Sequence, residues 1–247
     1  MGKVVFITGA TAGIGRATAE LMLENGFTVW AVGRRFERLN ELQKKFPETC
    51  VIGEMDVTNK ESVDKFFADH DPNQIDILIN NAGVAKGLEG SSAFRFEDWE
   101  CMIDTNIKGL LYVTSKVLPA LARKPGSHIV NLGSVAGKWV YPGGAVYCAT
   151  KFAVRALSEG FRMNLLGKKV RITNIEPGMV ETEFSKVRLG TQELSDKVYA
   201  GMTPLTAFDI AESILWCVSR PPHVNIAELT IFPVDQAGVG STLVHRE

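Results

Sequence analysis

Long apolar runs, clustered cysteines and an excess of charge of either sign are all missing from this sequence. No apolar run approaches the ~18 residues of a membrane-spanning helix, so no membrane partner is expected. The 27 basic and 28 acidic residues nearly cancel, which leaves no field that would recruit nucleic acid. The four cysteines, Cys50, Cys101, Cys148 and Cys217, form no C-x-x-C pair and indicate reduced thiols in a cytoplasmic protein without a metal site. Lys3 is followed at once by a strand-like run, so no signal peptide is expected.

What remains is the composition of an ordinary globular protein. The chain has 247 residues, of which 45% are apolar and 22% charged, enough to build one large α/β domain or two small ones. Apolar β-branched runs alternate with amphipathic segments, and no linker or repeat interrupts them. This alternation predicts a single α/β domain over residues 1–247, with a doubly wound parallel sheet of about seven strands and helices on both faces.

The periodicity also predicts where the elements lie. The predicted strands cover residues 3–8, 28–32, 50–55, 75–79, 128–132, 170–175 and 228–232. Predicted helices end near Asn25 and Leu166, begin near Asn59, and cover residues 97–122 and 207–219. Pro119 lies inside the long helix and is expected to kink or end its last turn. Residues 84–95 have the Gly/Ser-rich composition of a loop.

A glycine-rich turn, GATAGIG over residues 9–15, follows the first predicted strand and opens a helix. Glycines let the backbone approach a pyrophosphate, and a helix N-terminus favours its negative charge. The spacing G-x-x-x-G-x-G differs from the G-x-G-x-x-G of most dinucleotide-binding folds. We therefore predict a phosphate site at this turn. Its candidate residues are Gly9, Thr11, Gly13, Ile14 and Gly15.

Residues suited to binding stand at the end of every predicted strand from the first to the sixth. In strand order they are the glycine turn, Arg34, Asp56, Asn80, Ser134 and Pro177. Ligands of an open parallel sheet bind beyond the carboxyl ends of its strands. We therefore expect these residues to converge on one site.

The end of the second strand indicates the type of dinucleotide. An acidic side chain there would bind the ribose hydroxyls, whereas arginine accommodates a 2′-phosphate. Here no carboxylate occurs, and Arg34 and Arg35 follow the strand directly. This favours NADP. The alternative is that both arginines are solvated residues that open the next helix.

Tyr147 and Lys151 are the strongest candidates for chemistry. They are one helical turn apart and project from the same face of a helix. A nearby ammonium lowers the pKa of a phenol from its usual value near ~10, which suits an acid/base catalyst. Ser134 could hydrogen-bond to the substrate oxygen that Tyr147 protonates. The alternative is a Tyr–Lys pair on a solvated helix face.

Taken together, the motifs resemble the short-chain dehydrogenase/reductase family, in its classical subgroup. The matching segments are TGATAGIG (8–15), NNAG (80–83), YCATK (147–151) and PGMVET (177–182), with Asn106 and Ser134. The resemblance covers essentially the whole chain and implies a Rossmann fold and the catalytic set Asn106, Ser134, Tyr147 and Lys151. In that family the tyrosine is the acid/base, the serine orients the carbonyl and the lysine lowers the tyrosine pKa and binds the nicotinamide ribose. The asparagine holds a water in a proton relay.

The same resemblance implies the cofactor contacts. It assigns Asp56 to the adenine ring, residues 81–83 to the central region and Thr182 to the carboxamide. The further implied contacts are Val57, Asn81, Ala82, Gly83, Tyr147, Lys151, Pro177, Gly178 and Val180. Some NADP-preferring members carry a second basic residue in the glycine loop, where this chain has Ala12. The NADP preference therefore rests on Arg34 and Arg35.

Two further segments, residues 174–188 and 225–236, look like those of the NADP-dependent 3-hydroxy acid dehydrogenases, which also oxidise serine and L-allo-threonine. The resemblance implies hydride transfer between the nicotinamide and an alcohol such as serine, L-allo-threonine or 3-hydroxyisobutyrate. A substrate carboxylate requires a cation near the pocket, and Arg188 and Lys138 are the candidates, unless each is a solvated surface charge. The alternatives are a broad-specificity NADPH carbonyl reductase and a non-catalytic NADPH-binding regulator. Such a regulator usually lacks the Tyr or the Lys, which are present here.

Two predictions concern assembly and motion. Residues 180–205 are polar, with Gly190 and Gly201 as candidate hinges, and are expected to form a substrate flap with one or two short helices; the alternative is a plain surface excursion. The Tyr147 helix has more apolar surface than one sheet face needs, which together with the resemblance predicts a homotetramer. Its small and apolar residues are Ala149, Ala153, Ala156, Gly160, Phe152, Leu157 and Phe161.

Overall fold

The computed structural model describes residues 2–87 and 95–239. The strands are β1 (Val4–Thr8), β2 (Thr28–Gly33), β3 (Cys50–Glu54), β4 (Ile77–Asn80), β5 (His128–Leu132), β6 (Arg171–Pro177), β7 (Val180–Glu181), β8 (Leu205–Thr206) and β9 (Glu228–Ile231). The helices are α1 (Gly13–Glu24), α2 (Phe36–Lys45), α3 (Lys60–Asp69), α4 (Phe96–Ile103), α5 (Leu110–Leu121), α6 (Ala145–Asn164), α7 (Glu183–Leu189), α8 (Gln192–Tyr199) and α9 (Ala207–Val218). The loop predicted over residues 84–95 lies largely outside the described residues. Within the described ranges, no helix is both long enough and apolar enough to cross a membrane.

Seven strands form one sheet in the order β3-β2-β1-β4-β5-β6-β9. Every neighbouring pair is parallel, so all the carboxyl ends lie at one edge. The strand order reverses between β1 and β4, which opens a crevice beyond their carboxyl ends. The predicted doubly wound, Rossmann-like sheet is therefore confirmed.

The core has two layers because successive side chains of a strand point to opposite faces. Val5 and Ile7 of β1 pack on one face, under α1, α2 and α9. Phe6 packs on the other face, under α3, α5 and α6. Both faces of the sheet are covered by helices, which leaves the carboxyl edge as the open side of the sheet.

The prediction of one continuous helix over residues 97–122 is wrong. A π-helical segment, Asp104–Gly109, separates α4 from α5. The side chain of Asn106 in this segment is hydrogen-bonded to Val84 and Thr150, which are distant in sequence, and these bonds accompany the wider turn. Segments of this kind are frequent at functional sites. The expectation for Pro119 is confirmed, since α5 ends at Leu121.

The segment over residues 180–205 forms a distinct excursion. Its two short helices, α7 and α8, are capped at their N-termini by Thr182 and Thr191, whose side chains accept hydrogen bonds from the backbone N–H groups of Phe184 and Leu194. The two-residue strands β7 and β8 pair at its base. The predicted short helices are confirmed, and the pairing of the two ends was not foreseen.

Candidate active site

A cleft of about 940 Å³ opens at the carboxyl edge of the sheet. The predicted site residues that line it are Gly9, Thr11, Gly13, Ile14, Arg34, Arg35, Asp56, Val57, Asn81, Ala82, Gly83, Ser134, Tyr147, Lys151, Pro177, Gly178, Val180, Thr182 and Arg188. Three predicted residues are buried and do not line the cleft: Gly15, Asn80 and Asn106. The expected convergence therefore holds for most of these residues.

The glycine turn brings β1 and β4 close together. Gly9 has φ +67°, and a Cβ there would lie 2.9 Å from the Cα of Ala82. A Cβ at Gly15 would lie only 2.2 Å from Nδ2 of Asn81, so Gly15 acts by letting the helix start approach that residue. Asn81 in turn donates from Nδ2 to the carbonyl oxygens of Thr8 and Gly9, at 2.9 and 3.1 Å. These contacts hold the turn against the end of β4, at the edge of the cleft.

Arginines gather at the end of the cleft next to β2. Arg35 donates from Nε and Nη2 to the Thr11 hydroxyl, at 3.2 and 3.0 Å, which joins the second strand end to the glycine turn. Arg34 is exposed and lines the same cleft. Arg38, which the sequence analysis missed, reaches Glu183 together with Arg35. The sequence offered no local signal for Arg38 because it lies inside α2.

The catalytic candidates are buried at the other end of the cleft. Tyr147 is 8% exposed and Lys151 6%. Lys151 Nζ lies 5.9 Å from the centre of the Tyr147 ring and donates to the carbonyl oxygen of Leu132 at 2.7 Å. Ser134 is hydrogen-bonded to the Tyr147 phenol. Two positions of α6 and the loop after β5 thereby come together at this end of the cleft.

Burial controls the proton affinities of this pair. It raises the pKa of Tyr147 well above its ordinary value, an increase that hydrogen bonding to Ser134 and the charge of Arg188 oppose. It lowers the pKa of Lys151 from 10.5 to about 8. The net effect on the Tyr147 phenol is a raised pKa, because burial has the largest effect. The role of Lys151 in lowering this pKa stays a prediction. Helical spacing carries no information about burial, so the sequence could not indicate this effect.

Asn106 is 2% exposed in the π-helical segment. Its Oδ1 accepts from the Val84 N–H at 2.8 Å, and its Nδ2 donates to Val84 O and Thr150 Oγ1, both at 2.9 Å. Because both amide hydrogens are used within the protein, Asn106 can bind a water only through an oxygen atom. This limits the role in a proton relay that the family resemblance implies.

The two candidate cations for a substrate carboxylate differ completely. Lys138 forms ion pairs with Glu228 and, at 3.0 Å, with Glu176, so the prediction that it could bind a substrate carboxylate is wrong. Arg188 projects from α7 into the cleft, and its guanidinium carbon lies 5.7 Å from the centre of the Tyr147 ring. Across residues 2–87 and 95–239, no carboxylate forms an ion pair with Arg188. Within these ranges its hydrogen-bond acceptors are the Tyr141 hydroxyl and the backbone oxygens of Gly87 and Gly143.

Two aromatic residues of the site were also missed. Tyr141 accepts a hydrogen bond from Arg188 Nη1 at 2.9 Å, and its ring lies 5.4 Å from the guanidinium carbon. The Phe184 ring of α7 lies 5.9 Å from that of Tyr147. Neither has a distinctive sequence spacing, since Tyr141 lies in the loop before α6 and Phe184 reaches Tyr147 only through the position of α7. No group of three or more His, Cys, Asp or Glu residues suited to a metal ion occurs in the described part of the chain.

Comparison with known proteins agrees with this geometry. The family model for short chain dehydrogenase matches residues 3–193. The chain belongs to this family. It is 44% identical to the NADP-dependent 3-hydroxy acid dehydrogenase YdfG of Escherichia coli K12, over 99% of this chain and 100% of that protein. It is also 44% identical to the serine 3-dehydrogenase of Agrobacterium fabrum, over the full length of both.

Solved structures of related proteins have a similar fold. The closed form of a serine dehydrogenase complexed with NADP+ matches with a TM-score of 0.92 and 44% identity, covering 99% of this chain and 100% of that one. A serine dehydrogenase from Escherichia coli matches with a TM-score of 0.83 and 41% identity over 95% and 99% of the two chains. The protein is accordingly an oxidoreductase of the short-chain dehydrogenase family.

The cleft of this dehydrogenase fits a dinucleotide. Gly9 and Gly13 line the cleft without side chains, so the backbone of the turn is open to a pyrophosphate beside the start of α1. Arginines stand at the end beside β2, and the Tyr147–Lys151 pair stands at the opposite end. The residues therefore match a ligand with a phosphate-bearing end and a reactive end.

Proposed function

We propose that the protein is an NADP-dependent dehydrogenase of 3-hydroxy acids such as serine, L-allo-threonine or 3-hydroxyisobutyrate. The observation that carries this proposal is the position of Arg188, a cation without a carboxylate partner in the described residues, 5.7 Å from the Tyr147 ring. A carboxylate bound there would place the neighbouring carbons of a small hydroxy acid beside the phenol. The names of the relatives support the same substrate class.

The chemistry follows from the buried end of the cleft. When bound, the nicotinamide supplies the hydride acceptor for the hydroxyl-bearing carbon. Tyr147 takes the hydroxyl proton while the carbon loses its hydride, so that a carbonyl remains, and Ser134 donates a hydrogen bond to the same oxygen. In the reverse direction Tyr147 returns the proton. In the reducing direction the protonated phenol, which burial favours, is the proton donor. Oxidation of the alcohol requires the phenolate, which the hydrogen bond with Ser134 and the charge of Arg188 favour.

The proposed preference for NADP depends on the arginines beside β2. Arg34 and Arg35 follow the second strand, where the 2′-phosphate of a dinucleotide is bound in related folds. Thr11 holds Arg35 over the glycine turn by two hydrogen bonds. A positioned guanidinium suits a phosphate better than a flexible ammonium would, because it presents several donors in one plane.

The flap over residues 180–205 is proposed to close over the substrate. Helix α7 carries Phe184 against the Tyr147 ring and Arg188 in the cleft. Closure of such a segment excludes water and completes the binding site. Arg188 would then contact the substrate only in the closed state.

The test is a substrate panel on the wild type and on Arg188→Ala. We expect kcat/KM for serine and 3-hydroxyisobutyrate to fall, because one charge-assisted contact is lost. The loss of transition-state stabilisation should be about 2 kcal/mol or more. Turnover of an uncharged alcohol or ketone should change little. Lys186→Ala is the matched control, since Lys186 is an exposed cation on the same helix.

Two outcomes would contradict the proposal. Equal losses on charged and uncharged substrates would mean that Arg188 supports the flap instead of binding a carboxylate. A wild-type enzyme that turns over simple ketones as well as hydroxy acids, with no loss in Arg188→Ala, would indicate a broad carbonyl reductase. Lys138 could not then take over the role, because it is paired with Glu176 and Glu228.

We also propose that the protein is a cytoplasmic homotetramer. Cys50, Cys101, Cys148 and Cys217, all within the described ranges, form no disulfide, which suits a reducing compartment. On α6, Phe152 is 39% and Met163 65% exposed, and open space surrounds Gly160, as expected of a helix face that packs on another subunit. Light scattering at micromolar concentration should give the mass of a tetramer, and Phe152→Asp should reduce it. A monodisperse wild-type monomer would contradict the assembly.

A further inference from the structure

The flap and the arginine end of the cleft are joined by one carboxylate. Glu183 is the first residue of α7, immediately after Thr182, and lines the cleft. It accepts a hydrogen bond from Arg35 Nη1 at 2.8 Å and two from Arg38 Nη1, at 2.8 and 3.0 Å. The partners lie 148 and 145 positions away in sequence. The contact therefore connects two distant segments of the chain across the cleft.

Further hydrogen bonds position the residues on both sides of this contact. The other donors of Arg35 are bonded to Thr11 at 3.2 and 3.0 Å. The backbone carbonyl of Arg38 accepts from Arg16 Nη1 at 2.6 Å, which ties the start of α2 to α1. On the flap side, the side chain of Thr182 caps α7 through the Phe184 N–H. The carboxylate is thus held in front of the arginines by the fold.

Glu183 remains ionised when this contact is made. Hydrogen bonds from Arg35 and then Arg38 lower the pKa of its carboxyl below the usual value. An anion therefore already occupies Arg35 in the arrangement described. A 2′-phosphate brings about −1.5 to −2 charges at neutral pH and needs the same guanidinium.

We propose that Glu183 is a cofactor-specificity residue, an internal anion that competes with the 2′-phosphate of NADP for Arg35. This inference rests on the proposed function, in which Arg35 contacts that phosphate. A phosphate that approaches Arg35 meets a guanidinium whose Nη1 is paired with Glu183, and it is repelled by the carboxylate. NAD lacks the phosphate and leaves the pair intact. Glu183 therefore weakens the binding of NADP and narrows its advantage over NAD.

The test measures dissociation constants for NADPH and NADH by fluorescence on the wild type and on Glu183→Gln. Removing the carboxylate should tighten NADPH binding about three- to tenfold, the range for two ion pairs that are partly exposed, and should change NADH binding by less than about twofold. The same selectivity is expected for 2′,5′-ADP against 5′-AMP. These two fragments represent the adenosine half of NADP and NAD and differ only in the 2′-phosphate.

Glu193→Gln is the matched control. Glu193 lies on α8 of the same flap and forms an exposed ion pair with Lys197, away from the arginines. It should leave both dissociation constants unchanged. Thermal unfolding of each variant without cofactor establishes that the fold is retained.

Arg35→Ala separates the failure of this inference from that of the proposed function. If Arg35→Ala keeps the wild-type preference for NADPH, Arg35 does not contact the phosphate. The inference then fails together with that part of the proposed function. If Arg35→Ala loses affinity for NADPH while Glu183→Gln gains none, the competition alone is overturned. Weaker NADPH binding in Glu183→Gln would also overturn it, because the carboxylate would then help to hold the cofactor.

Discussion

The buried ammonium of Lys151 should lower the free energy of unfolding of the protein at neutral pH. Lys151 is 6% exposed, and its hydrogen-bond acceptor is the carbonyl oxygen of Leu132. No ion pair between Lys151 and a carboxylate occurs in the part of the chain that the structure describes. Burial lowers its pKa from 10.5 to about 8, which corresponds to about 3 kcal/mol of destabilisation while the group is charged.

The pH dependence has a definite sign. Below about pH 8 the lysine is protonated in the folded and unfolded chains alike, and the full cost is present. Between about pH 8 and 10.5 the folded protein has lost the proton and the unfolded chain has kept it, so stability from this group rises with pH. At higher pH the cost is gone.

The perturbation is Lys151→Met, which keeps the aliphatic volume and removes the charge. Removing the charge should stabilise the fold, and the lost hydrogen bond to Leu132 should cancel about 1 kcal/mol of that gain. We therefore expect the free energy of unfolding near neutral pH to increase by about 1–3 kcal/mol. The assay is urea unfolding of the cofactor-free protein across a pH series. The gap between the variant and the wild type should narrow above about pH 8.

Two results would refute this reasoning. A Lys151→Met protein that is less stable than the wild type near neutral pH would show that the ammonium is stabilised where it lies. A stability gain that stays constant up to about pH 10 would mean that it comes from better packing and not from the removed charge. Lys186→Met, at an exposed position, is the control and should change stability by no more than about 0.5 kcal/mol.

Two further predictions concern catalysis and cofactor choice. Tyr147→Phe should abolish hydride transfer while leaving cofactor affinity nearly intact, because the phenol acts in the chemical step; a kcat above about a tenth of the wild-type value would exclude it as the acid/base. Arg34→Ala should raise KM for NADP roughly 10- to 150-fold with little effect on NAD, the range expected for one charge-assisted contact. An unchanged NADP/NAD preference would assign the 2′-phosphate to other residues.

The sheet and the position of the site could be predicted because their determinants are local. Apolar runs such as residues 3–8 mark buried strands, and the turn beginning at Gly9 marks a strand-to-helix connection. Parallel strands place all their carboxyl ends at one edge, so Arg34, Ser134 and Pro177 had to converge once the alternation of strands and helices was recognised.

The break in the helix over residues 97–122 could not be predicted in this way. Its π-helical segment contains Asn106, whose side chain is bonded to Val84 and Thr150, 22 and 44 positions away. Local helical periodicity contains no trace of these partners. Only the folded chain brings them together.

Charge pairing and burial were decided by tertiary structure as well. Lys138 and Arg188 looked alike in the sequence, but Lys138 meets Glu176 and Glu228 while Arg188 reaches the cleft. The four-residue spacing of Tyr147 and Lys151 correctly placed both on one helix face, yet their pKa values depend mainly on burial. Periodicity and turn chemistry act between neighbours in the chain, so the sequence determined the fold and the location of the site. Desolvation and ion pairing depend on residues brought from far away, so only the tertiary structure decided which side chains in that site are charged, paired or available for a ligand.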